Sequence, residues 1–580
     1  MPIDVDTEKF IKIIALKNSV EHDGKAQSDA VIAKFVGSKP ELRNQIKSLI
    51  SEIKEVVQQI NALSLEDQKS LLEELAPGKV AAKKQVAEHQ LPPLEGAVHS
   101  KVVTRFPPEP NGYPHIGHAK AAIIDEEYAR MYGGMLILRF DDTNPLKEKL
   151  EYYDAIAEGL EWLGVKPDIT KNTSDDIELL HNYGRKLMEL GGAYICTCSQ
   201  EIIHNLRAKG VPCECRRDPA TTLSRIGKLF DGSYEQNEAI VRFKGDMADQ
   251  NTAMRDPTLF RIIECDHPKL GNRVRVWPTY DFAAPIEDSI DGVTHALRTK
   301  EYELRNALYF AILDRLGLRK PYLIEFSRLE FEGIPVSKRK IRPLIENGTI
   351  KNWDDPRLPT LAALRRRGFV PEAVRKFVLS LGLTLAETKP PFETLEAFNR
   401  KIIDPISLRL FFVKNPVEVH VRGGREMEVV LRNHPTDARL GTRKLKVGNT
   451  FYITEDDAAG LKVGDEIRLI ELYNIKITSI DWKKKKNTRL IITAEVDGDE
   501  IRQSMLKVQW IANNDIVDYK VMIPKELYIS EEKYNTNSLE IAQGFAESFV
   551  SSLKRDARVQ FVRFGFCRID GNQMAIMTHR

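Results

Sequence analysis

Cysteine is scarce in this chain, with six in 580 residues. So few thiols exclude the disulfide-dense secreted scaffolds. Four of the six stand as two close pairs, which favours a metal over disulfides in a reducing compartment. Long apolar runs are also missing: none approaches the ~20 residues that cross a bilayer, and the N-terminus has no apolar signal core. We therefore expect a cytoplasmic protein that does not enter a membrane.

An excess of charge of one sign is missing as well. Lys and Arg together number 86, and Asp and Glu together number 84. The net charge therefore neither requires nor excludes a nucleic-acid partner, and local charge has to decide. The chain is too long for a single hydrophobic core, so we expect roughly three to five domains.

The pattern of apolar residues changes along the chain. Up to about residue 75, segments such as FIKIIALKN and SEIKEVVQQINAL predict amphipathic helices, and APGKVAAKKQVAEHQLPPLEGA predicts a linker. The strand-type runs KVVTRF and GGMLILRFDD then flank the helix-type GHAKAAIIDEEYARMY, which is the alternation of a parallel βαβ sheet. After about residue 412, short alternating runs such as VEVHV and NIKITSI predict β-barrels.

The segment TRFPPEPNGYPHIGHAKAAI (104–123) lies between the first of these strands and the helix. A helix that starts after Gly117 directs free backbone N–H groups outward and forms a natural anion site. The imidazoles of His115 and His118 can then donate to phosphate oxygens. A structural turn whose histidines cap the helix is an alternative. A metal pair is a weaker one, because no third ligand stands nearby.

The segment RFPPEPNGYPHIGHAKA resembles the first signature of class I aminoacyl-tRNA synthetases, with the flanks of the glutamyl/glutaminyl branch. VSKRK matches the second signature, with Ser337 and Lys338 in register and with Pro335 and Val336 replacing the usual lysine and methionine. Without the resemblance, SKRKIR would be read as a solvated basic loop. LRFDDTNP, VWPTYDFA, GVTHALRTKEY and WDDPRLPTLAALRRRG follow in the family's order, so the resemblance covers about residues 100–420.

The resemblance implies a multidomain α/β plus β protein with a Rossmann-type nucleotide-binding core. We expect six parts along the chain: a helical N-terminal extension and linker (1–98), the first half of the core (99–190), an acceptor-binding insertion (191–275), the second half of the core with the VSKRK loop (276–345), a helical connector (346–411) and anticodon-binding β-barrels (412–580).

The resemblance also implies ATP-dependent ligation of an amino acid to tRNA in two steps, through an aminoacyl-adenylate, with ATP and a magnesium ion. His115, His118 and Lys338 are the expected catalytic residues. Together with these three, the expected ATP contacts are Pro107, Gly117 and Ser337.

The choice between glutamate and glutamine depends on one charge. A glutamate site needs a fixed cation, which a guanidinium supplies best. By resemblance, Arg105 and Tyr280 lie at the substrate side chain and Asp141 receives its ammonium group. Arg298 is decisive, because glutamyl enzymes carry arginine there and glutaminyl relatives carry a small uncharged residue. The alternative is that Arg298 only pairs with an acid of the following KEYE segment, Glu301 or Glu303.

The barrel-type C-terminus and the spelling of PPEPNG also fit glutaminyl enzymes. Archaeal glutamyl enzymes combine that architecture with the arginine, and this chain resembles them most. We therefore expect L-glutamate to be ligated to tRNA(Glu) and, in a non-discriminating enzyme, to tRNA(Gln) too. Alternatives are a glutaminyl enzyme, an inactive tRNA-binding relative, or another nucleotidyl transferase on the same fold.

The paired cysteines are Cys196, Cys198, Cys213 and Cys215, which spell CTC-x14-CEC. Two such pairs can close a tetrahedral zinc site. By resemblance they lie in the insertion that grips the acceptor end of tRNA, so we expect structural zinc. Four unligated thiols in a surface insertion are the alternative.

The remaining expected tRNA contacts come from one acid and two basic runs. Glu109 is placed by resemblance near the tRNA end. Arg365, Arg366 and Arg367 of LRRRG, and Lys483, Lys484 and Lys485 of WKKKK, would supply phosphate contacts, although each run alone also fits a solvated face. The family's usual state predicts a monomer.

Overall fold

The structure is a computed structural model, and the chain divides into two units, Met1–Gln90 and Leu91–Arg580. The part of the chain that it describes comprises residues 5–21, 24–38, 46–75, 91–217, 219–336, 338–485, 487–502, 505–530, 533–571 and 573–580.

The first unit is helical, as its apolar periodicity predicted. Its helices are α1 (Val5–Glu21), α2 (Ser28–Ser38), α3 (Ile46–Asn61) and α4 (Leu65–Leu75). Ile11, Phe35 and Ile53 are fully buried among them and belong to one apolar core. The predicted linker falls largely on residues 76–90, outside the described residues.

The second unit opens with a three-stranded parallel sheet and its crossover helices. The elements are β1 (Val103–Phe106), α5 (Ile116–Met131), β2 (Met135–Phe140), α6 (Leu150–Leu163), β3 (Ile169–Asn172) and α7 (Ile177–Glu189). β1 pairs in parallel with β2, and β2 with β3. Ile123 of α5 and Leu136 of β2 are both fully buried in the same core. The predicted βαβ alternation is confirmed.

An antiparallel sheet interrupts this alternation. Its segment contains β4 (Ala193–Cys196), α8 (Gln200–Lys209), α9 (Pro219–Phe230), β5 (Ile240–Phe243), β6 (Thr258–Ile262) and β7 (Val276–Pro278). The four strands are hydrogen-bonded in the order in which they occur in the chain. Val241 and Phe260 are fully buried in a core that also includes Leu187 of α7, so this layer packs against the α/β part.

Parallel pairing then resumes and a helical segment follows. The elements are α10 (Tyr280–Ile290), β8 (His295–Thr299), α11 (Asn306–Leu316), β9 (Tyr322–Phe326), α12 (Lys338–Glu346), α13 (Leu361–Arg367), α14 (Pro371–Leu381) and α15 (Phe392–Ile403). β8 pairs in parallel with β9. The backbone N–H of Thr294 donates to Val103 O at 2.9 Å, which brings β8 beside β1. The carboxyl ends of these strands therefore meet at one edge, where α/β proteins bind ligands.

In its described residues the C-terminal region contains two seven-stranded sheets and two two-stranded sheets, and the predicted β-rich texture is confirmed. Its elements are β10 (Leu408–Leu410), β11 (Phe412–Lys414), β12 (Pro416–Arg422), β13 (Met427–Arg432), β14 (Thr442–Val447), β15 (Thr450–Thr454), α16 (Glu455–Ala458), β16 (Glu466–Leu469), β17 (Asn474–Lys485), β18 (Asn487–Val496), β19 (Leu506–Val508), β20 (Ile511–Ala512), β21 (Ile516–Pro524), β22 (Tyr528–Ser530), β23 (Lys533–Tyr534), β24 (Leu539–Glu547), β25 (Arg558–Phe561), β26 (Gly565–Gly571) and β27 (Met574–His579).

Each of the two seven-stranded sheets has its own apolar core. One sheet has the strand order β19-β16-β17-β18-β12-β15-β20 and buries Val419, Ile492 and Trp510. The other has the order β10-β25-β26-β27-β21-β24-β11 and buries Phe412 and Phe561. No helix in the described ranges has both the length and the apolar character needed to cross a membrane.

Candidate active site

A cleft of about 660 Å³ lies at the carboxyl ends of β1 and β8, and most of the residues expected to bind ATP, glutamate and the tRNA end line it. Ser337, another expected ATP contact, lies outside the described residues. The predicted ATP, glutamate and tRNA-end residues that line the cleft are Arg105, Pro107, Glu109, His115, Gly117, His118, Asp141, Tyr280, Arg298 and Lys338.

The two histidines cap the N-terminus of α5 reciprocally. The backbone N–H of Gly117 donates to Nδ1 of His115 at 3.0 Å, and the backbone N–H of His115 donates to Nδ1 of His118 at 3.2 Å. The ring centroids lie 4.1 Å apart. A Cβ on Gly117 would lie 2.9 Å from Cε1 of His115, so only glycine lets the ring fold back onto the helix end. The capping interpretation therefore fits, whereas the backbone N–H groups of His115, Ile116 and Gly117, which were expected to be free for an anion, already have acceptors.

Both histidines are neutral. Burial, followed by the nearby Lys338 and Arg328, lowers the pKa of His118 to about 3. Burial and the neighbouring cations also hold the pKa of His115 well below its usual value. Because Nδ1 of each ring accepts a backbone N–H, the single proton of the neutral ring is on Nε2. Each imidazole therefore retains an Nε2–H donor that makes neither cap bond.

Lys338 begins α12 and crosses the cleft to the loop before α5. Its Nζ donates a hydrogen bond to Oδ1 of Asn111. A Cβ on Gly112 would lie 2.8 Å from Cε of Lys338, so the glycine leaves room for the lysine side chain. Burial lowers the pKa of Lys338 to about 8, with Glu109 acting in the opposite direction. Asn111 stands in PEPNG, where sequence reasoning gave it no role.

Arg105 is completely buried at the floor of the cleft. Its Nε donates to Oδ1 of Asp288 at 2.9 Å, and its Nη1 donates to Leu297 O at 2.7 Å. Asp288 also accepts from Nη2 of Arg139 at 2.9 Å and from the Tyr309 hydroxyl at 2.8 Å. Burial alone would raise the pKa of Asp288, but the two guanidiniums hold it below its ordinary value. Asp288 therefore holds the side chains of Arg105 and Arg139 in position, a role that no sequence signal indicated.

Asp141 follows β2 and faces the same cleft. Its Oδ1 accepts from Nε of Arg139 and from the hydroxyl of Thr173, each at 3.1 Å. Burial raises the pKa of Asp141, and the Arg139 guanidinium opposes that rise.

Arg298 lies near the carboxyl end of β8 and lines the cleft. Its Nη2 donates to Tyr302 O at 3.0 Å and to Oδ1 of Asn306. Its Nε is buried and has no hydrogen-bond partner among the described residues. Both hydrogen-bond acceptors are neutral, which leaves the positive charge uncompensated by them.

The alternative ion pair with Glu301 does not account for the contacts of Arg298. Glu301 lies at 3.3 Å from Arg328 instead. The guanidinium carbon of Arg298 lies 5.6 Å and 5.3 Å from the ring centroids of Tyr302 and Tyr309, so two aromatic faces flank it.

A second groove, of about 1190 Å³, runs along the antiparallel insertion. Arg207 and Arg255 line it, and Arg261 lines both this groove and the catalytic cleft. The insertion therefore presents a cationic path that ends at the cleft.

The four paired cysteines come together in the same insertion. Their sulfur atoms all lie within 4.8 Å of one another, and Cys196–Cys213 and Cys198–Cys215 are each separated by 3.8 Å. Four sulfurs about 2.3 Å from a tetrahedral zinc ion stand about 3.8 Å apart, so the donor set fits that metal. Nη1 of Arg242 lies 3.7 Å from Sγ of Cys213 and can stabilise thiolate charge.

One acidic cluster has a different explanation. Carboxylates of Asp176, Glu287 and Asp291 lie close enough together to suggest a metal site. The ammonium group of Lys171 donates to all three of them. The lysine therefore already supplies the positive charge at this position.

A family-level comparison agrees with this geometry. Residues 101–405 match the family described as "tRNA synthetases class I (E and Q), catalytic domain". Residues 407–497 and 507–570 match two families, each described as "tRNA synthetases class I (E and Q), anti-codon binding domain".

The chain belongs to the class I tRNA synthetases for E and Q.

Curated relatives extend the match over the whole chain. "Glutamate--tRNA ligase" of Nitrosopumilus maritimus (strain SCM1) is 48% identical and covers 100% of both chains. The protein of the same name from Cenarchaeum symbiosum (strain A) is 50% identical over 98% of both chains. That of Pyrococcus furiosus (strain ATCC 43587 / DSM 3638 / JCM 8422 / Vc1) is 39% identical and covers 99% of this chain and 100% of its own. The predicted resemblance to this class I synthetase branch and to its archaeal-type members is confirmed.

The basic residues that were expected to contact tRNA differ in their exposure and in their partners. Arg365 is exposed at the end of α13. Arg366 is partly buried and pairs with Asp354 and Asp570. The backbone of Lys483, Lys484 and Lys485 lies on β17, and their side chains are outside the described part of the structure.

Arg367 departs from the expectation that it contacts tRNA phosphates. It is 9% exposed, and its Nη2 pairs with Oε1 of Glu396 at 2.7 Å. Its Nε donates to Thr578 O at 3.1 Å. The helical period turns the third arginine of LRRRG inward, where it joins α13 to α15 and β27 rather than to solvent.

Proposed function

We propose that this synthetase ligates L-glutamate to tRNA(Glu) with ATP, through a glutamyl-adenylate. The observation that carries the proposal is that Arg298, with its charge unmatched by an acidic partner, lines the same cleft as His115, His118 and Lys338. A guanidinium selects a carboxylate over an amide. The curated relatives named "Glutamate--tRNA ligase" support the same substrate.

In the first step, the glutamate α-carboxylate attacks the α-phosphate of ATP in line. The new bond joins carboxylate oxygen to phosphorus, and pyrophosphate leaves with the electrons of the broken P–O bond. The Nε2–H groups of His115 and His118 and the ammonium of Lys338 donate to the charge that develops on the phosphate oxygens. Gly117 and Pro107 line the approach of the phosphates.

Four residues are proposed to hold glutamate. Arg298 would contact the side-chain carboxylate, with Arg105 and Tyr280 shaping the same end of the pocket. Asp141 would receive the ammonium group. In the second step, a hydroxyl of the terminal adenosine of tRNA attacks the adenylate carbonyl and AMP leaves. Glu109 lines the cleft and would lie near that end of the tRNA.

Magnesium is proposed to arrive as the ATP complex. Among the described residues, the cleft contains no cluster of three carboxylates that could form a metal cage. Mg²⁺ commonly binds through substrate phosphates and waters, so the cleft does not need such a cage to accept the magnesium complex of ATP.

Structural zinc is proposed at Cys196, Cys198, Cys213 and Cys215. Its support is the tetrahedral spacing of the sulfurs and the donors around them. Bound zinc would link the segment that contains Cys196 and Cys198 to the segment that contains Cys213 and Cys215.

The tRNA is proposed to run from the groove of the insertion to the C-terminal sheets. Arg207, Arg255 and Arg261 would meet the acceptor end, and Arg365 the phosphates farther along. The six sequence-based parts of the chain, a monomeric state and a cytoplasmic location belong to the same proposal.

The decisive experiment charges purified tRNA(Glu) and tRNA(Gln) side by side with radiolabelled glutamate and with glutamine. Glutamyl-tRNA(Glu) is the expected product, and glutamyl-tRNA(Gln) would identify a non-discriminating enzyme. Glutaminyl-tRNA as the sole product would overturn the assignment, and no product at all would indicate an inactive relative.

Arg298→Cys tests the specificity residue. The ratio of kcat/KM for glutamate to kcat/KM for glutamine should fall by roughly 10²-fold or more, because the charge pair between Arg298 and the glutamate side chain is lost. An unchanged preference for glutamate over glutamine would contradict the role given to Arg298.

A further inference from the structure

Arg298 faces a potential acidic competitor on the neighbouring strand. β8 and β9 are parallel, and Arg298 and Glu325 are direct Cα partners in their register. A carboxylate that reached this guanidinium would form a partly buried ion pair and neutralise it.

Asn306, at the start of α11, separates these two charges. Its Oδ1 accepts from Nη2 of Arg298, and its Nδ2 donates to Oε1 of Glu325 at 2.6 Å. A carboxamide suits this place because it accepts on one side and donates on the other without carrying charge. Glu325 is therefore satisfied by a neutral donor, and Arg298 by a neutral acceptor.

The other contacts of Arg298 are also neutral. Nη2 donates to the carbonyl of Tyr302, and the rings of Tyr302 and Tyr309 flank the guanidinium. Nε remains without a partner among the described residues. The guanidinium is thus held in position by groups that leave its charge in place.

We propose that Asn306 is a positioning residue for amino-acid selection: it keeps Glu325 from neutralising Arg298, so that the charge serves the side-chain carboxylate of glutamate. The inference rests on the proposed function. An Arg298–Glu325 pair would repel that carboxylate and would remove the penalty for binding the neutral amide of glutamine.

A double-mutant cycle tests this role. Asn306→Ala should raise KM for glutamate by about tenfold, narrow the preference for glutamate over glutamine, and leave KM for ATP within about twofold. Asn306→Ala combined with Glu325→Gln should recover KM for glutamate to within about threefold of wild type, because the competing charge is gone. Glu325→Gln alone should retain the wild-type KM, since the oxygen of the new carboxamide still accepts from Asn306.

Asn306→Asp covers the case in which the alanine variant does not fold. The side chain is nearly the same size, and its carboxylate would contact Arg298 directly. KM for glutamate should rise both in the wild-type background and in the Glu325→Gln background.

Three outcomes would overturn the inference: Asn306→Ala with wild-type glutamate kinetics, a double variant as impaired as Asn306→Ala, or Asn306→Asp with wild-type KM. The second would reduce Asn306 to a packing role. A wild-type protein that does not charge tRNA with glutamate would overturn the proposed function itself. The two failures are therefore distinguishable.

Discussion

Nζ of Lys338 donates a hydrogen bond to Oδ1 of Asn111, 227 positions earlier in the chain. The contact joins the start of α12 to the loop that precedes α5, across the cleft that both segments line. The two signature segments thus meet through a lysine and an amide that only the fold brings together.

Lys338→Ala should slow adenylate formation by about 10²–10³-fold and leave the KM for glutamate nearly unchanged, because the lost cation acts on phosphate charge in the transition state. ATP–pyrophosphate exchange in the presence of tRNA measures this. Lys340→Ala is the matched control, since Lys340 belongs to the same helix but does not line the cleft. Equal losses in both variants would contradict the assignment.

The first step should lose rate as the pH rises through about 8, because burial lowers the pKa of Lys338 to that value and the ammonium then loses its proton. Below pH 8 the charge is present. Lys338→Arg should be slower but should lack this alkaline decline, because a guanidinium stays protonated. Lys120 lines the same cleft with a pKa of about 8, so an alkaline decline that persists in Lys338→Arg would assign it to Lys120 instead.

His118→Gln should retain more activity than His118→Ala, because the amide preserves a neutral N–H donor. We expect the alanine variant to lose about 10²-fold in kcat. Since the pKa of His118 lies near 3, no acid limb of histidine origin should appear between about pH 5 and 7. If the wild-type rate falls with decreasing pH in that range and the fall disappears in His118→Gln, the imidazole is protonated during catalysis and the prediction is wrong.

Cys213→Ser should lower the zinc content of the purified protein and raise the KM for tRNA by about tenfold, with KM for ATP and glutamate within about twofold. The reason is that the insertion, rather than the catalytic cleft, contains the four thiols. Cys265→Ser is the control, because Cys265 does not belong to the cluster. Less than half an equivalent of zinc in the wild-type protein would contradict the site.

Alanine substitutions at Arg365 and Arg367 should have different effects, although only one residue separates the two positions. Arg367→Ala removes one partner of a buried pair and should destabilise the fold by about 3 kcal/mol, seen as a lower thermal midpoint. Arg365→Ala should leave the midpoint unchanged and weaken tRNA binding, with a salt dependence reduced by about one phosphate contact. A wild-type midpoint with weakened tRNA binding in Arg367→Ala would restore it as a phosphate ligand.

Much of this architecture could be predicted because it depends on local patterns. Strand and helix periods gave the order of β1, α5 and β2, and the sequence from His115 to His118 indicated the cap. The paired spacing of the cysteines likewise indicated their cluster. In each case, neighbours in sequence are also neighbours in space.

The supporting polar contacts could not be predicted in the same way. Arg105 and Asp288 are 183 residues apart, and neither sequence context reveals the pair. Asn306 looks like an ordinary first residue of a helix, and its place between Arg298 and Glu325 depends on the register of two parallel strands. The inward turn of Arg367 depends on the helical phase of α13, which a run of three arginines does not show.

The reciprocal cap between His115 and His118 bears on the direction of catalysis. In the proposed mechanism both rings act as neutral donors, so neither has to gain or lose a proton as pyrophosphate leaves. The same donors then serve the reverse reaction, in which pyrophosphate attacks the adenylate and regenerates ATP. Forward and backward rates at this centre should therefore share one dependence on the two histidines.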